Sequence, residues 1–161
     1  MYTDWEKLDE ADLITLIPGT KETLSWLRKN NFLKCLITSR HRDSLLNILD
    51  ANDLIYEFEI ITARQDCPYH KPDPRVFEHS LNGLRANGIT KEQCIFVGDT
   101  PSDISAGKNA GIETLVVQTG PYLLKHVAEH PMSLGNILQS IDDMPLWIEE
   151  HHEAGLTVLP R

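Results

Sequence analysis

The sequence IFVGDTPSDISAGKNAG, residues 95–111, begins as an apolar run and turns polar at Gly98-Asp99, with a second aspartate at Asp103. The apolar run is too short for a helix and does not alternate with polar residues, which is typical of a parallel strand covered on both faces. The small residues that follow it predict a short helix. Each polar residue alone has an ordinary structural explanation, because Asp103 or Ser102 can cap that helix.

Strands and helices are predicted to alternate along the chain. Four short apolar runs have the pattern of buried strands: LKCLIT (33–38), FEIIT (58–62), CIFVG (94–98) and TLVVQT (114–119). Helical patterns lie between and after them, over residues 20–30, 41–52, 73–88, 101–110, 121–129 and 145–152. Such alternation forms βαβ units, whose right-handed crossovers produce a parallel sheet. The predicted fold class is therefore α/β, with helices on both faces of a parallel sheet.

Three residues are predicted to mark helix boundaries. Thr20 is the expected N-cap of the first helix, and Asp73 is the expected N-cap of the third, with Pro74 at its first position. Gly88 is expected to end that third helix.

Composition limits the classes of function. The 161 residues have the length of one domain, and we treat residues 1–161 as a single core domain. With 24 acidic and 15 basic residues the formal net charge is −9, so nucleic acid and anionic membranes are not expected partners. Cys35, Cys67 and Cys94 form no Cys-x-x-Cys pair, which argues against a disulfide framework or a zinc site. No run approaches a membrane-spanning length, and we expect a cytoplasmic protein.

Polar residues with phosphate chemistry follow three of the predicted strands. Thr38 and Ser39 come after the first strand, Lys71 lies in an irregular stretch after the second, and Asp99 and Asp103 follow the third. Ligands of open parallel sheets bind outside the carboxyl ends of the strands, so we expect these residues at one edge. Hydroxyls and a lysine bind phosphoryl oxygens, and two carboxylates can hold Mg²⁺. The sequence therefore predicts a site for phosphate and Mg²⁺.

The order of these segments closely resembles the haloacid-dehalogenase-like (HAD) superfamily, in its capped, phosphoglycolate-phosphatase-like branch. LITSR is similar to the second motif of that family, HKPDPRVF to the third, and FVGDTPSDISAGKNAG to the fourth. The resemblance covers about residues 16–120. It implies a three-layer α/β/α Rossmann-like core.

The same resemblance implies roles for the candidate residues in hydrolysis of a small phosphorylated metabolite. Thr38 and Ser39 would bind the phosphoryl group, and Lys71 would stabilise charge on the nucleophile and the substrate. Asp99 and Asp103 would bind Mg²⁺ as the cofactor. Thr38 and Lys71 are then the catalytic residues present. Further backbone or hydroxyl contacts are expected from Ser39, Gly98 and Thr100.

The first motif of the family, Asp-x-Asp after an apolar strand, does not occur in the 161 residues. In the family its first aspartate is the nucleophile and its second is the general acid and base. Residues DLITLIPGTKETLSWLRKNN look like the return from the cap into the core, so we expect the first strand and the cap to be absent. That strand is central in the family, and its absence would leave both neighbouring strands unpaired on one side. Residues 13–17 or 156–159 are short apolar candidates for the vacant position.

Three explanations of this gap stay open. The chain is a truncated phosphatase that is inactive alone, a non-catalytic relative that binds a phosphorylated ligand or a protein, or a chain completed by self-association or by a second chain that supplies the strand. A response-regulator receiver domain does not fit, because its metal-binding acids precede its hydroxyl and lysine, whereas here they come last.

Overall fold

The computed structural model describes residues 14–118 and 134–151. Its elements, in chain order, are α1 (Thr20–Lys29), β1 (Cys35–Ile37), α2 (Arg42–Ala51), β2 (Ile60–Thr62), α3 (Glu78–Ala86), β3 (Ile95–Gly98), α4 (Pro101–Ala110), β4 (Glu113–Val117), β5 (Ile137–Leu138) and α5 (Met144–His151). All four predicted strands are present. The predicted helix over 121–129 lies outside the described residues, and the other predicted helices are found. None of the helices in the described ranges is long and apolar enough to cross a membrane.

Asp73 and Pro74 begin a 3-10 turn, and α3 itself begins four residues after Pro74, with Phe77 at its cap position. The Asp73 carboxylate accepts a hydrogen bond from the Arg75 N–H at 2.9 Å, and a 3-10 turn over Pro74–Phe77 leads into the helix. Gly88 follows the helix in the left-handed region, with φ of 78°, which glycine adopts without steric penalty.

The predicted N-cap of α1 is wrong. Thr20 is the first helical residue, and Gly19, with φ of 83°, occupies the cap position. The Thr20 hydroxyl donates to the Ile17 carbonyl at 2.7 Å. Because that carbonyl lies in the preceding turn, the hydroxyl points away from the N–H groups at the start of the helix, from which an N-cap side chain would accept hydrogen bonds.

The strands form two parallel sheets within the described residues. β1 pairs with β2, Cys35 lying opposite Ile60, and β3, β4 and β5 form the second sheet in that order. Parallel pairing throughout confirms the predicted α/β class. β5 was not predicted, because a strand of two residues is too short to give a periodic signal.

Three helices cover one face of the two sheets. Leu27 of α1 and Trp147 of α5 pack with Leu115 of β4, and Leu45 of α2 packs with Leu36 of β1. These residues alternate along their strands with residues of the opposite face, as the two-residue period of a strand requires.

The 3-10 turn, α3 and α4 cover the opposite face. Ile37 of β1 and Phe96 of β3 belong to one cluster with Phe77, Leu81 and Ala106, and the Phe77 and Phe96 rings meet edge to face with centroids 4.8 Å apart. One cluster therefore contacts both sheets, and the fold has the predicted three layers.

The two sheets do not pair with each other in the part of the chain that the structure describes: β1 has β2 as its neighbour, and β3 has β4. This is the position for which the sequence predicted a missing central strand. Residues 14–17 form no strand, so that candidate does not fill it, and residues 156–159 lie outside the described residues. A cavity of about 830 Å³ lies along both strands.

Gly107 is required where α4 crosses β4. A Cβ at this position would lie 2.0 Å from Thr114 Oγ1 and 3.2 Å from the Phe96 ring. We expect Gly107→Ala to lower the free energy of unfolding by about 1–2 kcal/mol, since overpacking costs about 1–3 kcal/mol and the gain in helix propensity returns up to about 1. Urea denaturation measures the change.

Removing the overlapping atom should rescue the Gly107 variant. We expect Thr114→Ala to recover stability in the Gly107→Ala background, because the threonine hydroxyl is the nearest obstacle. Ser105→Ala, on the same helix, serves as the control for helix propensity. A Gly107→Ala protein more stable than the wild type would contradict the close contact.

Candidate active site

Lys71 and Asp103 form an ion pair at the carboxyl edge. Lys71 follows β2 of one sheet, and Asp103 lies in α4 directly after β3 of the other. Lys71 Nζ lies 2.5 Å from Asp103 Oδ1, and 18% of the lysine side chain and 4% of the aspartate side chain are exposed. The contact therefore brings the loop that follows β2 against the first turn of α4, which follows β3, and it links the two sheets.

The second oxygen of Asp103 organises the loop that carries Asp99. Asp103 Oδ2 accepts from the Asp99 N–H at 3.2 Å, the Thr100 N–H at 3.0 Å and the Thr100 hydroxyl at 2.7 Å. Thr100 is the N-cap of α4, and its hydroxyl oxygen accepts from the Asp103 N–H in return. This is a capping box with aspartate in the third helical position. Neither Asp103 nor Ser102 is itself the cap.

Gly98 allows Asp103 to approach the end of β3. A Cβ on Gly98 would lie 2.3 Å from Asp103 Cβ and 2.6 Å from its Cγ, distances that real Cβ atoms do not show. The obstacle is a short side chain held by four hydrogen bonds and cannot move aside. Gly98 therefore leaves room for Asp103 at the end of β3, and the next residue, Asp99, places a second carboxylate on the same loop.

The two aspartates have pKa values shifted in opposite directions. Burial alone would raise the pKa of Asp103, but the Lys71 charge and the hydrogen bonds from Lys71 and Thr100 outweigh it and lower that pKa. Burial raises the pKa of Asp99, and the neighbouring Asp103 charge raises it further, with Lys71 offsetting part of the effect. Asp103 is thus a stabilised anion, whereas the Asp99 carboxylate is held in an unfavourable environment.

Thr38 and Ser39 lie at the end of β1, in the other sheet from Asp99. The Thr38 N–H donates to the Thr62 carbonyl at 3.0 Å, which continues the β1–β2 ladder. The Thr38 hydroxyl oxygen accepts from the Arg40 N–H at 3.2 Å, and its hydrogen can donate elsewhere. Ser39 is exposed. The structure brings Lys71, Asp99 and Asp103 together, and convergence of Thr38 and Ser39 with them stays a prediction.

Asp99 and Asp103 are the residues that the sequence predicts as ligands of Mg²⁺. Among the described residues there is no group of three or more His, Cys, Asp or Glu side chains that could hold a metal ion. Asp99 fits one ligand position, because a hard cation would neutralise its unfavourable charge. The oxygens of Asp103 already accept from Lys71 and Thr100, so contact through a bound water suits it better than direct ligation.

Phe96 is a site residue that the sequence did not single out. Lys71 Nζ lies 5.9 Å from the centroid of its ring, and the ring forms one wall beside the ion pair. Its position in an apolar run carries no such signal, because a core phenylalanine and a phenylalanine beneath a lysine look the same in sequence. An aromatic face next to an ammonium contributes about 0.5–1 kcal/mol at partly exposed sites.

Most of the chain matches one known protein family. The family model described as haloacid dehalogenase-like hydrolase matches residues 1–117. The chain belongs to this family. Membership agrees with the parallel sheets, with the chain order of the polar residues that follow the strands and with the Lys71–Asp103 pair. It confirms the resemblance seen in the motifs.

Curated relatives of this HAD-like chain include phosphatases. It is 35% identical over 105 residues to the pyrophosphatase PpaX of Halalkalibacterium halodurans, a match covering 65% of this chain and 47% of the relative. It is 33% identical over 112 residues to a phosphoglycolate phosphatase of Pseudomonas putida, covering 70% and 40%. The chain therefore spans about half the length of the curated relatives it matches.

Solved structures show the same fold. A predicted phosphoglycolate phosphatase from Haemophilus somnus superposes with a TM-score of 0.74 at 24% identity, covering 89% of this chain and 60% of that one. A β-phosphoglucomutase from Clostridium difficile superposes with a TM-score of 0.71 at 20% identity, covering 94% and 63%.

Asp99→Asn is expected to stabilise the free HAD-like chain. The amide removes a carboxylate whose pKa is raised by burial and by Asp103. A group with a raised folded-state pKa lowers stability above that pKa and has no effect below the unfolded value of about 3.9. We expect a gain of about 0.5–1 kcal/mol at pH 7, because stabilising single substitutions commonly give about 0.5–2 kcal/mol and solvent screens part of the unfavourable charge at this partly exposed position.

Thermal unfolding at pH 7 and at pH 3–4 measures this effect. The gain should shrink on acidification, and Asp50→Asn, at an exposed position on α2, should change stability little at either pH. An Asp99→Asn protein that is less stable than the wild type at pH 7 would contradict the assignment.

Proposed function

We propose that the chain carries the phosphate- and metal-binding part of a phosphoric monoester hydrolase. The observation that carries this proposal is the Lys71–Asp103 pair, with Asp99 beside it at the carboxyl edge. The buried Asp103 carboxylate holds the lysine ammonium in place. The lysine side chain therefore loses little conformational freedom when it binds a ligand. Such a fixed positive charge suits a phosphoryl group.

Each residue has a distinct part in this proposal. Lys71 opposes the charge of the phosphate, Thr38 and Ser39 donate hydroxyl hydrogens to its oxygens, and Asp103 orients Lys71 and the loop. Asp99 would hold Mg²⁺, and Asp103 would face the same ion through water. When bound, the ion supplies neutralisation of phosphate charge. The attacking and proton-transferring groups are not among these residues.

The substrate class is proposed from the relatives. Those reported above carry the names pyrophosphatase and phosphoglycolate phosphatase, which favour a small phosphorylated metabolite. Compact anions of this kind suit Lys71, and they agree with the net charge of −9, which makes a polyanionic macromolecule an unfavourable partner.

A second candidate is binding of a phosphorylated ligand without hydrolysis. The specific observation in its favour is that no Asp-x-Asp motif occurs in the 161 residues. A lysine and a metal-binding aspartate suffice to bind phosphate, whereas turnover through a phosphoenzyme needs a nucleophile as well.

Titration of Mg²⁺ tests the proposed metal role of Asp99. We expect weak binding by isothermal calorimetry, with a Kd of about 1 mM or higher, since one or two carboxylates leave most of the hydration shell of the ion in place. Asp99→Asn should abolish the signal and Asp50→Asn should preserve it. Tight binding that survives Asp99→Asn would place the metal elsewhere.

A further inference from the structure

Three side chains form a clamp around the turn that carries Lys71. The Asp73 N–H donates to the His70 carbonyl at 2.9 Å, which closes a four-residue turn with Lys71 in its second position. The Arg75 guanidinium contacts residues on both sides of Lys71, because its Cζ lies 3.9 Å from the centroid of the Tyr69 ring and its Nη2 lies 2.7 Å from Asp73 Oδ2. We call Tyr69, Asp73 and Arg75 the clamp.

The clamp has a geometry that depends on arginine. Nε and Nη2 of Arg75 donate to the two carboxylate oxygens of Asp73, at 3.0 and 2.7 Å, and this bidentate contact fixes the orientation of the guanidinium. The hydrogen bonds from Arg75 hold the pKa of the Asp73 carboxyl down to about 2, so the pair is ionised at neutral pH. The same guanidinium lies over the Tyr69 ring. A lysine ammonium cannot form the bidentate contact and stack on the ring together.

The turn itself lies at the protein surface. His70 and Pro72 are exposed, and exposed loops with few buried contacts open more readily than the core. From α4, the Asn109 amide donates to the Pro72 carbonyl at 3.3 Å, and Asp103 accepts from Lys71. Contacts from α4 therefore hold the middle of the turn, and the clamp connects its two ends.

The clamp is electrically neutral overall. The side chains of Arg75 and Asp73 neutralise each other and are 53% and 30% exposed, so solvent screens their charges. Lys71, in contrast, points towards the site, with Nζ 2.5 Å from Asp103 Oδ1 and 5.9 Å from the centroid of the Phe96 ring. The clamp can therefore influence Lys71 through the shape of the turn, and its net charge contributes little.

We propose that Arg75 is a positioning residue, whose contacts with Tyr69 and Asp73 hold Lys71 ready for a phosphoryl group. The phosphoryl ligand in this inference rests on the proposed function, whereas the effect of the clamp on Lys71 does not. A lysine that is held in advance loses less side-chain freedom when it binds, and ordering a side chain with many rotamers weakens binding about twofold to tenfold. Loss of the clamp should weaken phosphate binding by the same factor.

The order parameter of the Lys71 ammonium group, obtained from nitrogen relaxation on the whole chain, measures the positioning directly. We expect Arg75→Met and Arg75→Lys both to lower it by about a third, which is the difference between a rigid and a flexible group. Tyr69→Phe keeps the ring face and should preserve the wild-type value. Arg85→Met is the matched control, because Arg85 is an exposed arginine on α3.

Titration of inorganic phosphate in the presence of Mg²⁺ tests the link to binding. Arg75→Met and Arg75→Lys should raise the Kd about twofold to tenfold, whereas Tyr69→Phe and Arg85→Met should leave it unchanged. A wild-type chain that binds no phosphate would contradict the proposed function, and the order parameter of Lys71 would then decide the role of Arg75 by itself.

Two outcomes would overturn the positioning role. An Arg75→Lys protein that keeps the wild-type order parameter at Lys71 would show that a positive charge is sufficient. An Arg75→Met protein that is less stable but has an unchanged order parameter at Lys71 would limit the clamp to a structural role. Circular dichroism establishes that each variant is folded, and Tyr69→Leu, which removes only the ring face, replaces Arg75→Met if that protein does not fold.

Discussion

Replacing Lys71 with methionine is expected to lower the free energy of unfolding by about 2–4 kcal/mol at pH 7. The substitution leaves the Asp103 carboxylate, with 4% of its side chain exposed, without its cationic partner. Removing one partner of a buried pair costs about 3–5 kcal/mol, and the range here is lower because 18% of the lysine side chain reaches solvent. The same contact joins segments that follow the two sheets, so its loss also removes a link between them.

Denaturant titrations with a double-mutant cycle check this expectation. The double variant Lys71→Met/Asp103→Asn should be more stable than the sum of the single changes implies, because the uncompensated charge is gone. Lys108→Met, at an exposed position on α4, is the matched control and should change stability by less than about 0.5 kcal/mol. Additive single effects would show that the pair does not couple.

Acidification provides a second test of the ion pair. A carboxylate with a lowered folded-state pKa stabilises the protein above the unfolded value of about 3.9, and that stabilisation is lost as the pH falls through the folded-state pKa. The pKa of Asp103 is lowered. The difference between the wild type and Lys71→Met should therefore be largest near neutral pH and shrink below about pH 4.

The chain alone is expected to hydrolyse phosphate monoesters at least about 10⁴-fold more slowly than a full-length phosphoglycolate phosphatase assayed beside it. Removing a nucleophile from an enzyme that depends on it costs about 10⁴–10⁶ in turnover, and the 161 residues contain no Asp-x-Asp motif. Lys71 and the proposed metal at Asp99 favour binding, but binding ground and transition states equally does not raise turnover.

An aryl-phosphate assay with Mg²⁺ measures this activity. The purified chain and Lys71→Ala should give the same trace rate, and circular dichroism should establish that both are folded. Robust turnover by the wild type that disappears in Lys71→Ala would mean that a nucleophile is present and that the chain is catalytic without a further strand. Equal robust rates in both proteins would indicate a contaminating phosphatase.

The sequence allowed the elements and their class to be predicted because those depend on local patterns. Each apolar run of the predicted strands became a parallel strand, and the Asp73-Pro74 signal marked the 3-10 turn that leads into α3. Where several local solutions compete, local reasoning was wrong: the Thr20 hydroxyl bonds to the preceding turn, and Gly19 takes the cap position. β5 was not predicted because a strand of two residues is too short to show a hydrophobic periodicity.

For the site, the chain order alone predicted which residue types follow each strand: Lys71 after β2, and Gly98-Asp99 and Asp103 at and after the end of β3. The different environments of the two aspartates could be seen only in the folded structure. Asp103 is buried against Lys71 from the other sheet, whereas Asp99 on the same loop is left in an unfavourable field. Neither spacing nor composition contains that difference, since it depends on which groups from distant segments lie within a few ångströms. That β1 and β3 do not pair with each other among the described residues is of the same kind, because strand pairing is a relation between segments and not a property of either one.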